Sequence, residues 1–218
     1  MSMAMRVIVP PHPLIGHWLT LLRDQHTPPA LYGTAMAELG RWLSYEALRD
    51  WLPQRRLSLH TPLAPTEGMV VDPEVPLLAV VQVPAGLGLW QGAQPVLPTA
   101  RVAHVAPASG TDGRAWALDR LPSSLEERLG VLVFCAEVAD GGHQLALLER
   151  LEALGVAGER LRLITAVAAA PGLRRLADRF PGLAIHCACI DAELDAQGRT
   201  LPGIGDPQVR LFAGTTPA

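Results

Sequence analysis

The sequence predicts an α/β fold built on a mostly parallel sheet with helices on both faces. Three observations carry this. Largely apolar runs recur at residues 77–83, 130–135, 161–169 and 183–189, as strands buried on both faces require. Segments of helical period separate them, so strand and helix alternate at the spacing of a parallel sheet. Apolar residues make up 49% of the 218 residues and charged residues 18%, a balance that lets a chain of this length bury a core without staples.

The elements follow in order. Residues 6–9 form a short strand that Pro10-Pro11 ends. Residues 12–23 form an amphipathic helix with Leu14, Ile15, Trp18, Leu19 and Leu22 on one side. Thr27-Pro28-Pro29 starts a second helix that runs to about residue 51, rich in Ala, Leu and aromatics, and Pro53 closes it. Residues 55–65 read as a strand or hairpin arm of mixed polarity, and residues 68–74 as a turn-rich loop. After the strand at 77–83, Gly86-Leu87-Gly88 opens a helix, and 100–106 is a further strand. Residues 107–120 are polar and read as a mobile loop. Gly141-Gly142 opens a helix with Leu145, Leu148, Leu151 and Leu154 on one stripe, and residues 171–180 form another with Pro in its first turn. The tail, 190–218, is Gly/Pro-rich and expected to be irregular. The chain reads as one domain: N-terminal helices and hood over 1–75, a core sheet over 76–189, and the tail.

Composition excludes several functions. All 18 Lys+Arg residues are arginine, which removes Schiff-base chemistry and any P-loop lysine. A net charge of -3 supplies no basic excess for nucleic acid or an anionic membrane. The longest apolar stretch, 76–90, is too short and too broken by Pro and Gly to span a bilayer. The three cysteines, Cys135, Cys187 and Cys189, form neither a disulfide framework nor a tetrahedral zinc site, and a reducing cytoplasm is expected. Cys187 and Cys189 read as core residues of a buried strand. His12 and His17 read as a helix cap and a surface residue. Trp18, Trp42 and Trp51 read as packing for the hood or a subunit interface.

Ligands in such sheets bind outside the carboxyl ends of the strands. Three loops qualify: residues 84–88, 135–143 and 201–206. The second, C-A-E-V-A-D-G-G-H, links a buried strand to a helix through Gly-Gly, a shape that binds phosphate through free N–H groups and the helix dipole. Its own Glu137 and Asp140 oppose an anion there. Cys135, at a strand end near a helix N-terminus, is also a candidate reactive thiol.

The segment H-P-L-I-G-H-W-L-T-L-L-R-D-Q at 12–25 and L-S-Y-E-A at 43–47 resemble the uracil phosphoribosyltransferase family. So do A-G-L-G at 85–88, P-T-A-R at 98–101, and I-D-A-E-L-D-A-Q-G-R-T-L-P-G-I-G-D at 190–206. The resemblance implies a type I phosphoribosyltransferase fold, with a parallel core sheet, a hood and a homodimer. It implies a reaction of uracil with phosphoribosyl pyrophosphate (PRPP) that gives UMP and pyrophosphate with Mg2+, as in pyrimidine salvage.

The family's PRPP loop resembles D-P-x-x-A-T-G-G-S. The match places Cys135 at the ribose-facing aspartate, Ala136 at the proline, and Glu137 and Val138 at the variable positions. Ala139, Gly141 and Gly142 keep the loop's shape, while Asp140 and His143 replace hydroxyls that donate to the 5′-phosphate. On the pyrophosphate side, Pro84 replaces an arginine ahead of Ala85 and Gly86, and the next arginine falls near Ser109, with Arg114 or Arg120 as substitutes. In the tail, Thr200, Gly205, Asp206 and Pro207 stand where the family recognises uracil, and Pro207 lacks an N–H. These changes lead to the expectation of a non-catalytic homologue that binds a uracil or nucleotide ligand or a protein partner, without a cofactor. The alternative is an active uracil phosphoribosyltransferase with atypical PRPP loops, which uses Mg2+. A third reading makes Glu137, Asp140 and His143 a new polar or metal-binding cluster.

Overall fold

The computed structural model describes residues 4–108 and 115–212. The chain opens with β1 (Arg6–Ile8), α1 (Pro13–Arg23) and α2 (Pro29–Leu48). His12 caps α1: its Nδ1 accepts the Leu14 N–H at 3.2 Å, and Pro13 follows where a missing N–H costs nothing. His17 is exposed. In α2, Tyr32, Ala35, Met36, Leu39, Leu43 and Ala47 are buried at intervals of three and four, the stripe that a core-facing helix needs.

Next come β2 (Gln54–His60) and β3 (Pro65–Val71), which pair with each other as an antiparallel hairpin from Gln54 opposite Val71 to His60 opposite Pro65. This corrects the reading of 68–74 as a loop. Thr66, Met69, Val70 and Val71 favour strand over turn, and the turn lies earlier, where the Thr61 hydroxyl accepts the Leu63 and Ala64 N–H groups. The segment read as a hood therefore has two parts: helices packed into the core and a largely exposed hairpin.

The remainder is β4 (Leu77–Gln82), α3 (Gly86–Ala93), β5 (Arg101–Pro107), β6 (Trp116–Asp119), β7 (Gly130–Val138), α4 (Gly142–Ala153), β8 (Leu161–Ala169), α5 (Ala170–Arg179), β9 (Ala184–Asp191), β10 (Glu193–Leu194), β11 (Thr200–Leu201) and α6 (Pro207–Phe212). Among the described residues the main sheet runs β1-β9-β8-β7-β4-β5-β6, parallel throughout except for antiparallel β6 at one edge. The expected loop at 107–120 thus contains a strand. Ser109 and Arg114 lie outside the described residues. The tail holds the β10–β11 hairpin and α6, so it is not irregular: its turns are made by Gly198, Gly203 and Gly205 at positive φ.

Side chains of the central strands alternate between two cores. Ala79, Val81, Leu132, Phe134, Ile164 and Ala188 pack against α1, α2 and α3. Leu78, Val80, Val131, Val133, Leu163 and Ile185 pack against α4 and α5. On α4 the buried stripe is Gln144, Leu147, Leu148 and Leu151; Leu145 and Leu154 are only partly covered, which corrects the expected stripe. Cys187 is buried and Cys189 half-buried on β9, and burial pushes the Cys187 thiol up to about 12.

Helices α2 and α3 touch through their backbones. A Cβ on Gly40 would lie 1.9 Å from the Leu89 carbonyl oxygen, and one on Gly92 would lie 1.6 Å from that of Ala37. Gly40→Ala is therefore expected to destabilise the fold by about 2–3 kcal/mol, because the helices must separate in a packed core; urea denaturation measures it. A second expectation concerns His186, which is buried with Nδ1 unpartnered. Burial, with the charges of Arg162 and Arg6, holds its imidazole down at about 4, against smaller opposite pulls from Asp50 and Glu46. The unfolded chain protonates this histidine near pH 6.5 while the folded chain does not. Its contribution is full above pH 6.5 and falls by about 1 kcal/mol per pH unit toward pH 4. His186→Leu should flatten that limb of the stability–pH curve by one proton's worth.

Candidate active site

Parallel pairing brings the carboxyl ends of β4, β7, β8 and β9 to one edge of the sheet. A cavity of about 530 Å³ opens there, within the range of small-molecule sites. Its walls come from all three expected loops: Pro84 and Ala85; Cys135, Ala136, Glu137, Ala139, Asp140 and His143; and Asp206 and Pro207.

The first wall follows β4. Gly86 starts α3 so close to β7 that a Cβ would lie 2.7 Å from the Phe134 carbonyl oxygen. Gly86 therefore seats the loop and does not line the cavity.

The second wall follows β7, which runs three residues past its expected end at Cys135. Cys135 to Val138 are strand, and the loop proper is only Ala139-Asp140-Gly141. Gly141 turns the chain at φ 76°, and Gly172 of α5 packs beneath it, where a Cβ would lie 2.3 Å from the Ala139 carbonyl oxygen. Val138 is buried in the core. Asp140 sits on the N-terminus of α4. Its Oδ1 accepts the Gly142 N–H at 3.0 Å, and its Oδ2 accepts from Arg175 Nη1 at 2.8 Å. The charge that opposes an anion is thus partly offset by a cation from α5. Burial pushes the Cys135 thiol up to about 12, which leaves it neutral and removes the reactive-thiol reading.

The third wall is the tail, which the core holds through buried Asp191. One carboxylate oxygen accepts from Arg23 of α1 at 2.6 Å, and the other accepts the Gly203 N–H at 2.9 Å. The Tyr32 hydroxyl donates to the Ile204 carbonyl at 3.2 Å. Arg210 lies 4.2 Å from the Tyr32 ring centre and donates to the carbonyls of Ile204, Leu22 and Asp24. Asp206 Oδ1 accepts the N–H groups of Gln208 and Val209, so it caps α6, and Pro207 begins that helix. Gly205 and Thr200 stand behind the cavity wall. Buried Thr200 donates from its hydroxyl to Glu137 Oε2 at 3.0 Å.

Two polar groups escaped the sequence reading. Gln144 donates to Gln82 Oε1 and to the Glu137 carbonyl, each at 3.1 Å, and both glutamines line the cavity. The available signal was a glutamine at a stripe position of an otherwise apolar helix face. Arg120 is absent from the lining; its N–H donates to the His104 carbonyl beside β6. Glu137, Asp140 and His143 share the wall but do not form a metal cage: among the described residues no cluster of three His, Cys, Asp or Glu could hold an ion.

A parallel sheet with a cavity at its carboxyl edge, a Gly-Gly loop leading into α4 and a tail beside the opening agree with the type I phosphoribosyltransferase fold that the resemblance implies. The comparisons narrow this. The uracil phosphoribosyltransferase family model matches residues 9–214. Proteins named uracil phosphoribosyltransferase are 45% identical in Synechococcus elongatus and 39% identical in a Nostoc species, each over 97% of this chain and 99% of the relative. A chloroplastic one of Arabidopsis thaliana is 36% identical over 99% of this chain and 73% of its own length. A solved protein of Aquifex aeolicus superposes with TM-score 0.86 at 27% identity, over 97% of this chain and all of that one. The chain belongs to the uracil phosphoribosyltransferase family.

The family resemblance implies magnesium. Thr200 takes Glu137 Oε2, Gly142 and Arg175 take both oxygens of Asp140, and the α6 cap takes Asp206 Oδ1. Among the described residues these carboxylates do not gather into a set that fits a resident magnesium ion. Magnesium is commonly held by substrate phosphates with few protein ligands.

Asp191→Asn should loosen the tail: loss of the ion pair to Arg23 costs about 2 kcal/mol, discounted for the arginine's partial exposure. A lower melting temperature and faster tryptic cleavage at Arg210 are the expected readouts.

Proposed function

We propose that this protein transfers phosphoribosyl from PRPP to uracil. The N1–C1′ bond forms, the bond from C1′ to the pyrophosphate oxygen breaks, and the N1 proton is released. The observation that carries this reading is the convergence of residues 84–85, 135–143 and 206–207 on one cavity, in a chain that keeps the family's length and order. The base sits toward Thr200, Asp206 and Pro207, and the phosphoribosyl group toward the α4 N-terminus. The walls exclude water and hold the two reactants together, which is the largest service such a site renders to a transfer between carbon and nitrogen. A homodimer and a cytoplasmic setting belong to the same reading.

A second reading, a non-catalytic binding protein, is favoured by the seat of Asp140. Its carboxylate occupies the N–H that a 5′-phosphate would use. Among the described residues the cavity wall carries Glu137, Asp140 and Asp206 but no arginine, and Pro84 offers neither charge nor N–H. Phosphoryl groups are held largely by such contacts.

Incubation with labelled uracil, PRPP and magnesium decides between them. UMP at enzyme-like turnover supports the transferase; no UMP and no heat of PRPP binding supports the binding protein. Asp140→Thr removes a like charge and restores a hydroxyl donor. It should tighten PRPP binding about tenfold, equivalent to about 1.4 kcal/mol. An unchanged affinity would show that Arg175 already neutralises Asp140.

A further inference from the structure

Glu137 is the one charged residue of β7, in the run G-V-L-V-F-C-A-E-V. It stands at the cavity wall, half-buried. A carboxylate withdrawn from water at the end of a core strand is costly unless its oxygens are paired. Here only one is: Oε2 accepts from Thr200, while Oε1 has no hydrogen-bond partner among the described residues. The group is also held in place. Gln144 fixes the Glu137 carbonyl, and Thr200 of β11 fixes the carboxylate. Burial raises the pKa of Glu137, and the carboxylates of Asp206 and Asp191 add to the rise, against the Thr200 hydrogen bond. This local acidity makes an anion a poor occupant beside Glu137 and an N–H donor a good one.

We infer that Glu137 Oε1 is a specificity-determining acceptor that reads a ring N–H of the base. The inference rests on the cavity's being a base site, as in the proposed function. In a transfer to N1, that nitrogen faces the sugar carbon, so the ring N–H left for recognition is N3–H. The site thus takes a pyrimidine with a free N3–H and discriminates against one alkylated there. A charge-assisted hydrogen bond at a partly desolvated site is among the stronger polar contacts. A donor-free ligand would leave the carboxylate unpaired.

Calorimetry with uracil and with 3-methyluracil, on the wild type, Glu137→Met and Glu137→Gln, tests it, with melting temperatures as the folding control. The wild type should bind uracil about tenfold more tightly than 3-methyluracil. Glu137→Met should lose most of that preference, and Glu137→Gln, which keeps an acceptor oxygen without the charge, should keep part of it. Thr200→Val, which releases the carboxylate from its anchor, should weaken uracil less than Glu137→Met does. An unchanged uracil preference in folded Glu137→Met overturns the inference, and so does a wild type that binds no uracil. The UMP assay separates the two readings. UMP formation with a preference insensitive to Glu137 removes only the inference. Uracil binding that depends on Glu137 without UMP formation removes only the transferase.

Discussion

The site depends on one buried carboxylate. Asp191 ends β9 and joins Arg23 of α1 to the Gly203 backbone, so strand, helix and tail meet at a single residue. The Gly203-Ile204-Gly205-Asp206 turn is held further by the Ile204 side chain, buried in the core, and by Tyr32 and Arg210, which both donate to the Ile204 carbonyl. Those contacts also run to α1 and α2. The N-terminal helices therefore do more than cover the sheet: they position the loop that closes the cavity. Two positive-φ glycines, Gly203 and Gly205, let that loop turn sharply enough to reach back.

The cavity is electrostatically divided. Toward α4, Asp140 carries a negative charge that the exposed pair with Arg175 only partly offsets, so that side is not positive. Toward the tail, Glu137 and Asp206 face a wall in which Thr200 and the α6 N-terminus supply the donors.

Much of the fold was legible because parallel strands leave a plain mark. The strand at 161–169 was read to the residue, and every residue of it is buried. The second arm of the hairpin, at 65–71, leaves little mark because it is exposed, and alternation without burial is weak. The edge strand at 116–119 was missed because it is short and polar-flanked. The α4 stripe was misplaced by leucine counting: Gln144 is buried for its hydrogen bonds, whereas Leu145 sits one residue off the packed face.

Sequence alone determined the class of fold and the three loops that meet at the cavity, because strand and helix periods and loop composition are local properties of the chain. Tertiary structure alone decided what those residues do. Arg175, 35 positions from Asp140, pairs with it and partly offsets its charge, and Thr200, 63 positions from Glu137, holds that carboxylate by one oxygen. A residue's charge is written in the sequence, but its partner is chosen by packing, and the partner decides whether that charge is cancelled or left for a ligand.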